Sequence, residues 1–191
     1  MIVYKGFTED LTAIYGKGTY QYEAGGTYET EKSKTRNTGF HCAEYILDCM
    51  NWYKLDEKNR FFSVEASGSI DEEDSCSMVV CTRMKLLQEL TVKEIAGAAM
   101  LYMIRHPLRD WKRNYGNVVA AKGRAEATAG LSIAIARGPA PKVCGAADSV
   151  LGLILEPAPG SIHQAKVFVA GKDAKADTWY TLNEERELME L

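Results

Sequence analysis

The sequence has no long apolar run, and this absence limits the classes of protein to which it can belong. No apolar stretch approaches the ~20 residues of a membrane-spanning helix, so we expect no membrane segment and no membrane partner. The first residues, Met1-Ile2-Val3-Tyr4-Lys5-Gly6, also lack the basic and then apolar pattern of a signal peptide. We therefore expect a cytoplasmic, intracellular protein.

The chain has few residues suited to holding a metal ion or a disulfide framework. Its five cysteines are odd in number and irregularly spaced, which favours reduced thiols in an intracellular setting. Zinc sites usually need tighter cysteine pairs, and the three histidines are scattered. We expect no metal, no disulfide and cysteines that serve as small buried apolar residues. The cysteines and histidines are Cys42, Cys49, Cys76, Cys81, Cys144, His41, His106 and His163.

An excess of charge is also missing. The net charge of −3 at pH 7 is too small to imply a polyanionic partner by itself. A hydrophobic content of 46% and a charged content of 26% are ordinary for a globular domain, so neither disorder nor a fibrous class is indicated. A length of 191 residues allows one domain or two small ones.

Residues 1–105 have the pattern of an α+β domain with short strands. Residues 2–7, 60–69 and 78–87 are rich in β-branched and aromatic side chains and predict strands. Tyr20-Gln21-Tyr22 and residues 27–30 flank Gly25-Gly26, which predicts a hairpin. The acidic run Asp71-Glu72-Glu73-Asp74 predicts a solvated turn in preference to the alternative of a cation site.

Two main helices are predicted in the same domain. From Cys42 the apolar positions recur at helical spacing as far as Tyr53. A second helix is predicted from residue 92 to about residue 105, with Thr91 as its N-cap and Glu94 completing a capping box. It should end near His106-Pro107, because proline disfavours a helical residue before it.

Residues 116–191 predict a β-rich, Gly- and Ala-rich C-terminal domain. Glycines recur there at intervals of seven or eight residues, at 123, 130, 138, 145 and 152. Two interpretations stay open: a small solenoid-like layer of stacked short strands, or ordinary antiparallel strands joined by glycine turns. Residues 164–170 and 177–182 predict two further strands around a Gly171-Lys172-Asp173 turn.

A basic connector, residues 106–115, is predicted between the two domains. With Arg105 it holds four Lys or Arg residues, one His and two aromatics within eleven residues. Such a cluster suits a protein-binding hot spot or contacts to phosphates and bases. The simpler alternative is an amphipathic connector whose Trp111 and Leu108 enter the core while its charges face water. The predicted binding residues are Arg105, Arg109, Trp111, Lys112, Arg113 and Tyr115.

The chain resembles an uncharacterised family common in phages and prophages of gut Firmicutes. The resemblance covers residues 1–95 and, more loosely, the last thirty, and it implies a phage-borne intracellular protein. Its motifs include Tyr4-Lys5-Gly6-Phe7, Gly39-Phe40-His41-Cys42-Ala43-Glu44 and Val64-Glu65-Ala66-Ser67-Gly68. The other matching segments are residues 20–23, 27–29, 81–85 and 177–182.

The order of elements in residues 1–105 is also similar to that of small ADP-ribosyltransferases, including the rifampin-modifying kind. The resemblance implies NAD as the cofactor and Lys5 as the first-strand residue that holds the nicotinamide ribose. His41, with Cys42 and Tyr45 nearby, stands at the second motif. The third motif, a carboxylate, has no clean match: Glu65 is the candidate, and Asp71 and Glu89 are alternatives.

Two functions follow as expectations. The first is a non-catalytic, phage-encoded accessory protein that binds and inhibits a host target without a cofactor. That target is a host protein, such as a CRISPR-type defence nuclease, or the nucleic acid that it handles. The second is a mono-ADP-ribosyltransferase that uses NAD to modify a host protein or small molecule. We favour the first because the transferase pattern departs at two of its three motifs.

Overall fold

The computed structural model describes residues 1–15, 18–73, 76–183 and 185–191. About half of the chain is strand, and the described residues contain one α-helix, α1, Val92–Arg105. The predicted α+β class with two main helices is therefore wrong, and the fold is mostly β. Strands β1 to β14 are Ile2–Thr8, Thr12–Ala13, Tyr20–Gln21, Thr27–Glu29, Phe40–Ala43, Asn59–Glu72, Met78–Glu89, Arg113–Asn114, Val118–Ala127, Ile133–Gly145, Val150–Leu155, Gln164–Val169, Tyr180–Leu182 and Leu188–Glu190.

The chain divides into two compact units, Met1–Thr91 and Val92–Leu191. Helix α1 has the bounds that its capping sequence predicted, but it belongs to the second unit. The first domain predicted from the sequence, residues 1–105, includes this helix.

The main sheet of the first unit has pairings that close into a ring. Its order is β4-β7-β5-β1-β6, and β6 also pairs with β7. All these pairings are antiparallel, so alternate side chains of each strand point into one enclosed core. The core residues are Val3, Phe7, Leu11, Tyr22, Phe40, Cys42, Phe62, Val64, Ala66, Val79, Cys81, Met84 and Leu86.

The predicted hairpin around Gly25-Gly26 does not form. Strand β3 pairs with β2, and β4 pairs with β7, where Tyr28 lies opposite Met84. The two tyrosine segments do not pair through their backbones. Instead, the rings of Tyr22 and Tyr28 both pack around Phe40. Burial of the rings thus decides which strands pair.

The first predicted helix is also absent. Phe40–Ala43 is strand β5, paired with β1 and β7, and a short 3-10 helix, Ile46–Asn51, follows it. Tyr45, Ile46 and Leu47 are consecutive and all fully buried. An amphipathic helix would expose one of three successive residues, so burial on all sides overrides the helical spacing.

The acidic run includes the last residues of strand β6, so it is not only a turn. Asp71 and Glu72 are the last pairs of β6 with β7, and Asp71 accepts hydrogen bonds from the backbone N–H and the hydroxyl of Thr35. Asp74 lies outside the described residues.

The second unit is built on parallel stacking of strands β9, β10 and β11. Ile133 of β10 lies beside Val118 of β9 on one side and beside Val150 of β11 on the other. Because short turns join these parallel neighbours, the solenoid-like alternative is the one found. Strand β12 pairs antiparallel with β11, and β13 pairs with β10 and β14.

The glycine of the Tyr4-Lys5-Gly6-Phe7 motif is required by a close approach. A Cβ at Gly6 would lie 2.7 Å from Cδ2 and 3.0 Å from Cβ of Tyr53. We expect Gly6→Ala to lower the free energy of unfolding by about 1–3 kcal/mol, since the ring must move within a packed interior. Urea denaturation measures this change. Gly97→Ala is the matched control, because its added Cβ meets nothing within 4 Å. Equal effects of the two substitutions would contradict the steric account.

Candidate functional site

The basic segment, Arg105–Tyr115, begins where α1 ends. The N–H of His106 still donates to the carbonyl of Tyr102 at 2.9 Å, and Pro107 follows as the sequence predicted. Leu108 is 82% exposed, so the interpretation in which it enters the core is wrong. An apolar side chain of this exposure lies at the centre of a charged segment.

Three of the predicted binding residues are exposed. Arg105, Arg109 and Lys112 are all exposed and lie on both sides of Leu108 in the chain. We call these three exposed cations the cationic rim, and they belong to a protein whose net charge is negative. Such a rim favours an acidic partner over a basic one.

The other three predicted binding residues are partly buried. Trp111 is half-buried, with the guanidinium of Arg137 lying 5.0 Å from its ring centroid. Tyr115 is half-buried as well. Arg113 is largely covered, and its Nη1 donates to the Lys112 carbonyl at 2.7 Å and to Asp110 Oδ2 at 3.2 Å. Its charge is therefore paired with Asp110 within the same segment.

Arg137, which the sequence analysis missed, fixes this segment in place. It is 1% exposed, and its guanidinium makes a bidentate pair with Glu156 through Nε and Nη2. Nη2 also donates to the carbonyl of Pro107 at 2.7 Å, and Nη1 donates to that of Met103 at 3.5 Å. One buried cation thus joins the end of α1 to strand β10.

Glu156 completes the pair. It accepts a further hydrogen bond, from the N–H of Gly160 at 2.7 Å. The hydrogen bond from Arg137 lowers the pKa of this carboxyl below its ordinary value, so it stays ionised. The sequence signal was present: Arg137 and Glu156 each follow an apolar strand run, where a charge needs a partner.

Lys5, the first residue of the transferase hypothesis, points toward the interior of the first unit. It lies on β1 between the core residues Val3 and Phe7. Its ammonium donates to the backbone carbonyl of His41 at 2.9 Å and lies 5.6 Å from the ring centroid of Phe7. Neutral groups therefore hold this cation.

The side chains of His41 and Glu65 are directed away from that interior. His41 sits on β5 between the core residues Phe40 and Cys42, so alternation places its ring on the outer face. Its Nδ1 is 3.2 Å from the carbonyl of Gly39, and burial lowers its pKa. Glu65 is exposed on β6. Lys5 thus lies on the opposite face of the sheet from His41 and Glu65.

The cysteines pack mainly as expected. Cys42, Cys49, Cys81 and Cys144 are buried, and all five thiols are free. Cys42 donates weakly to the Met84 sulfur at 3.7 Å. The neighbouring Cys81 thiol and burial raise the pKa of the Cys42 thiol. Burial on this scale suits packing better than nucleophilic chemistry.

Two further observations bear on the kind of site. Among the described residues, no group of three His, Cys, Asp or Glu side chains is placed to hold a metal ion. The part of the chain that the structure describes also has no helix with the length and apolar character to cross a membrane. The candidate site is the basic segment, because it holds the exposed Leu108 among exposed cations.

Comparison with known proteins adds a family but no activity. The model of a family described as "Domain of unknown function (DUF7666)" matches residues 1–98. No curated protein and no solved structure matches the chain. The matched range covers the first unit and enters α1, so the basic segment lies beyond it.

Proposed function

We propose that this chain, which belongs to the family described as a domain of unknown function (DUF7666), is a non-catalytic binding protein. Its basic segment docks on an acidic surface of a partner protein and occludes that surface. The observation that carries the proposal is Leu108, an exposed leucine between the exposed cations Arg105 and Arg109. An apolar centre with a charged rim is the usual arrangement of a protein-binding site.

The support beneath the segment strengthens the proposal. The bonds from Arg137 to Met103 and Pro107 hold the backbone on the N-terminal side of Leu108. Trp111 packs over the same guanidinium on the C-terminal side. A surface fixed before binding loses less conformational entropy when the partner docks.

In its specific form, the proposal is that the protein is a phage-encoded inhibitor of a host defence nuclease of the CRISPR type. It would act in the cytoplasm of the host cell. The resemblance to phage proteins and the occluding, cationic surface support this form. Nucleic acid is the competing partner, and salt dependence distinguishes the two, because phosphate contacts give a steep loss of affinity with salt.

The test is capture of the partner from host cells by the purified protein, followed by measurement of its affinity. We expect Arg109→Glu/Lys112→Glu to weaken binding about tenfold, mainly through slower association, since rim charges steer encounter. Lys142→Glu/Lys175→Glu is the matched control, with the same change of charge at exposed positions elsewhere in the second unit. We expect the control to bind like the parent protein.

Two results would contradict the proposal. One is equal binding of the parent and the Arg109→Glu/Lys112→Glu variant. The other is an affinity that falls steeply with salt and is also measured with nucleic acid in the absence of a partner protein. That result would mean that the partner is a nucleic acid.

A further inference from the structure

Helix α1 has a second apolar face, opposite the one that it buries. The buried face consists of Ile95, Ala96, Ala99, Met100, Tyr102 and Met103. On the other side, Gly97, Ala98, Leu101 and Ile104 recur at helical spacing, and we call them the outer stripe. Leu101 is 40% exposed and Ile104 is 41% exposed. Apolar side chains of this size along one helix face indicate a contact that the single chain leaves uncovered.

The side chains of the outer stripe are small near the start of α1 and large near its end. A Cβ built on Gly97 would meet nothing within 4 Å, so the surface above Gly97 is open. Ala98 beside it is also small, whereas Leu101 and Ile104 project. Two such helices that pack antiparallel place each Leu101 over the small residues of the other copy. The stripe is therefore complementary to itself in shape.

The charges at the ends of the stripe are complementary in the same arrangement. Glu94 is exposed near the start of α1, and Arg105 is exposed at its end. Antiparallel packing brings Glu94 of one copy beside Arg105 of the second copy, and two-fold symmetry repeats the pair at the other end. Parallel packing would instead set like charges together at both ends.

We infer that the outer stripe is a self-association face, and that its occupant is a second copy of this chain docked antiparallel along α1. This inference shares Arg105 with the proposed docking surface, but the tests of that function change only Leu108, Arg109 and Lys112, so the two can fail independently. The contact is about one helix long, so it buries less than the ~1,600 Å² of a standard interface. The dimer is weak and reversible, with a dissociation constant on the order of 10–100 μM.

Sedimentation velocity over a range of concentrations tests the inference. We expect the parent protein to shift from monomer to dimer, and Glu94→Lys and Arg105→Glu each to weaken dimerisation at least tenfold. Each variant alone sets like charges together at both ends of the stripe. An equimolar mixture of the two variants should dimerise like the parent. In the mixed dimer the two substituted side chains, now of opposite charge, meet at one end, and the unchanged Arg105 and Glu94 meet at the other.

Restoration by mixing separates this arrangement from an effect on folding, because a misfolded variant cannot be rescued by another. Lys112→Glu is the control for a charge change outside the stripe and should leave dimerisation unchanged. The inference is overturned if the parent stays monomeric at the highest concentration, or if both single variants dimerise as it does. A mixture that stays monomeric overturns it as well.

Discussion

Arg137→Ala is expected to lower the free energy of unfolding of the second unit by about 3–5 kcal/mol, the range for breaking one side of a buried ion pair. The substitution leaves Glu156 as an uncompensated charge and removes the donors from the carbonyls of Met103 and Pro107. Urea denaturation followed by tryptophan fluorescence measures the change, because Trp111 lies over the guanidinium that is lost.

The structure offers a matched control on the neighbouring strand. Lys122 of β9 lies opposite Arg137 of β10 in the strand register but is exposed. Lys122→Ala should therefore lower the free energy of unfolding by less than ~0.5 kcal/mol. Arg137→Met/Glu156→Leu should recover most of the loss, since removing both charges avoids an unpaired one. The account fails if Arg137→Ala is no more costly than Lys122→Ala.

The same pair gives the second unit a defined dependence on acid. The pKa of Glu156 is lower in the folded protein than its ordinary value. Its contribution to the free energy of unfolding is therefore fully present at a pH above that ordinary value. The contribution is lost as the pH falls through the folded pKa. In Glu156→Gln this part of the acid-induced loss of stability should be missing from denaturation curves recorded below about pH 4.5.

The elements that the sequence predicted well are those specified by local patterns. Strands β1, β6 and β7 alternate over many residues, and α1 has a cap and a proline at its two ends. The region around Cys42 was misread because its apolar spacing is helical, yet Tyr45 and its two neighbours are buried on all sides. Strand pairing was misread at β4, because its partner β7 lies more than fifty residues away in the chain.

The candidate site, like the fold, was predicted only where local sequence patterns specify it. The density of basic and aromatic residues identified the segment, but not which side chains are exposed. Arg113, which is largely covered, was indistinguishable from the exposed Arg109 by residue type alone. The Arg137–Glu156 pair requires the parallel register of β10 and β11, where Arg137 stands beside Ile154. Side chains brought together by strand register cannot be paired from one sequence without that register.

Leu108→Asp is expected to weaken partner binding by about 2–4 kcal/mol, or roughly 30- to 1,000-fold, while stability changes by less than ~0.5 kcal/mol. The side chain is 82% exposed in the free protein, so folding gains little from it. In the complex it would be the buried apolar centre inside the cationic rim, where a carboxylate faces an acidic partner without compensation. Titration calorimetry with the captured partner measures the affinity, and urea denaturation measures the stability.

Leu191→Asp is the matched control, because it makes the same change at another exposed leucine of the second unit. It should leave both affinity and stability as in the parent protein. Leu108→Ala separates two causes: we expect an intermediate loss if burial of the side chain contributes, and almost none if the effect of Leu108→Asp is electrostatic only. Binding of Leu108→Asp at the parent affinity would place the docking surface elsewhere, since no partner that covers the basic segment can avoid its most exposed apolar residue.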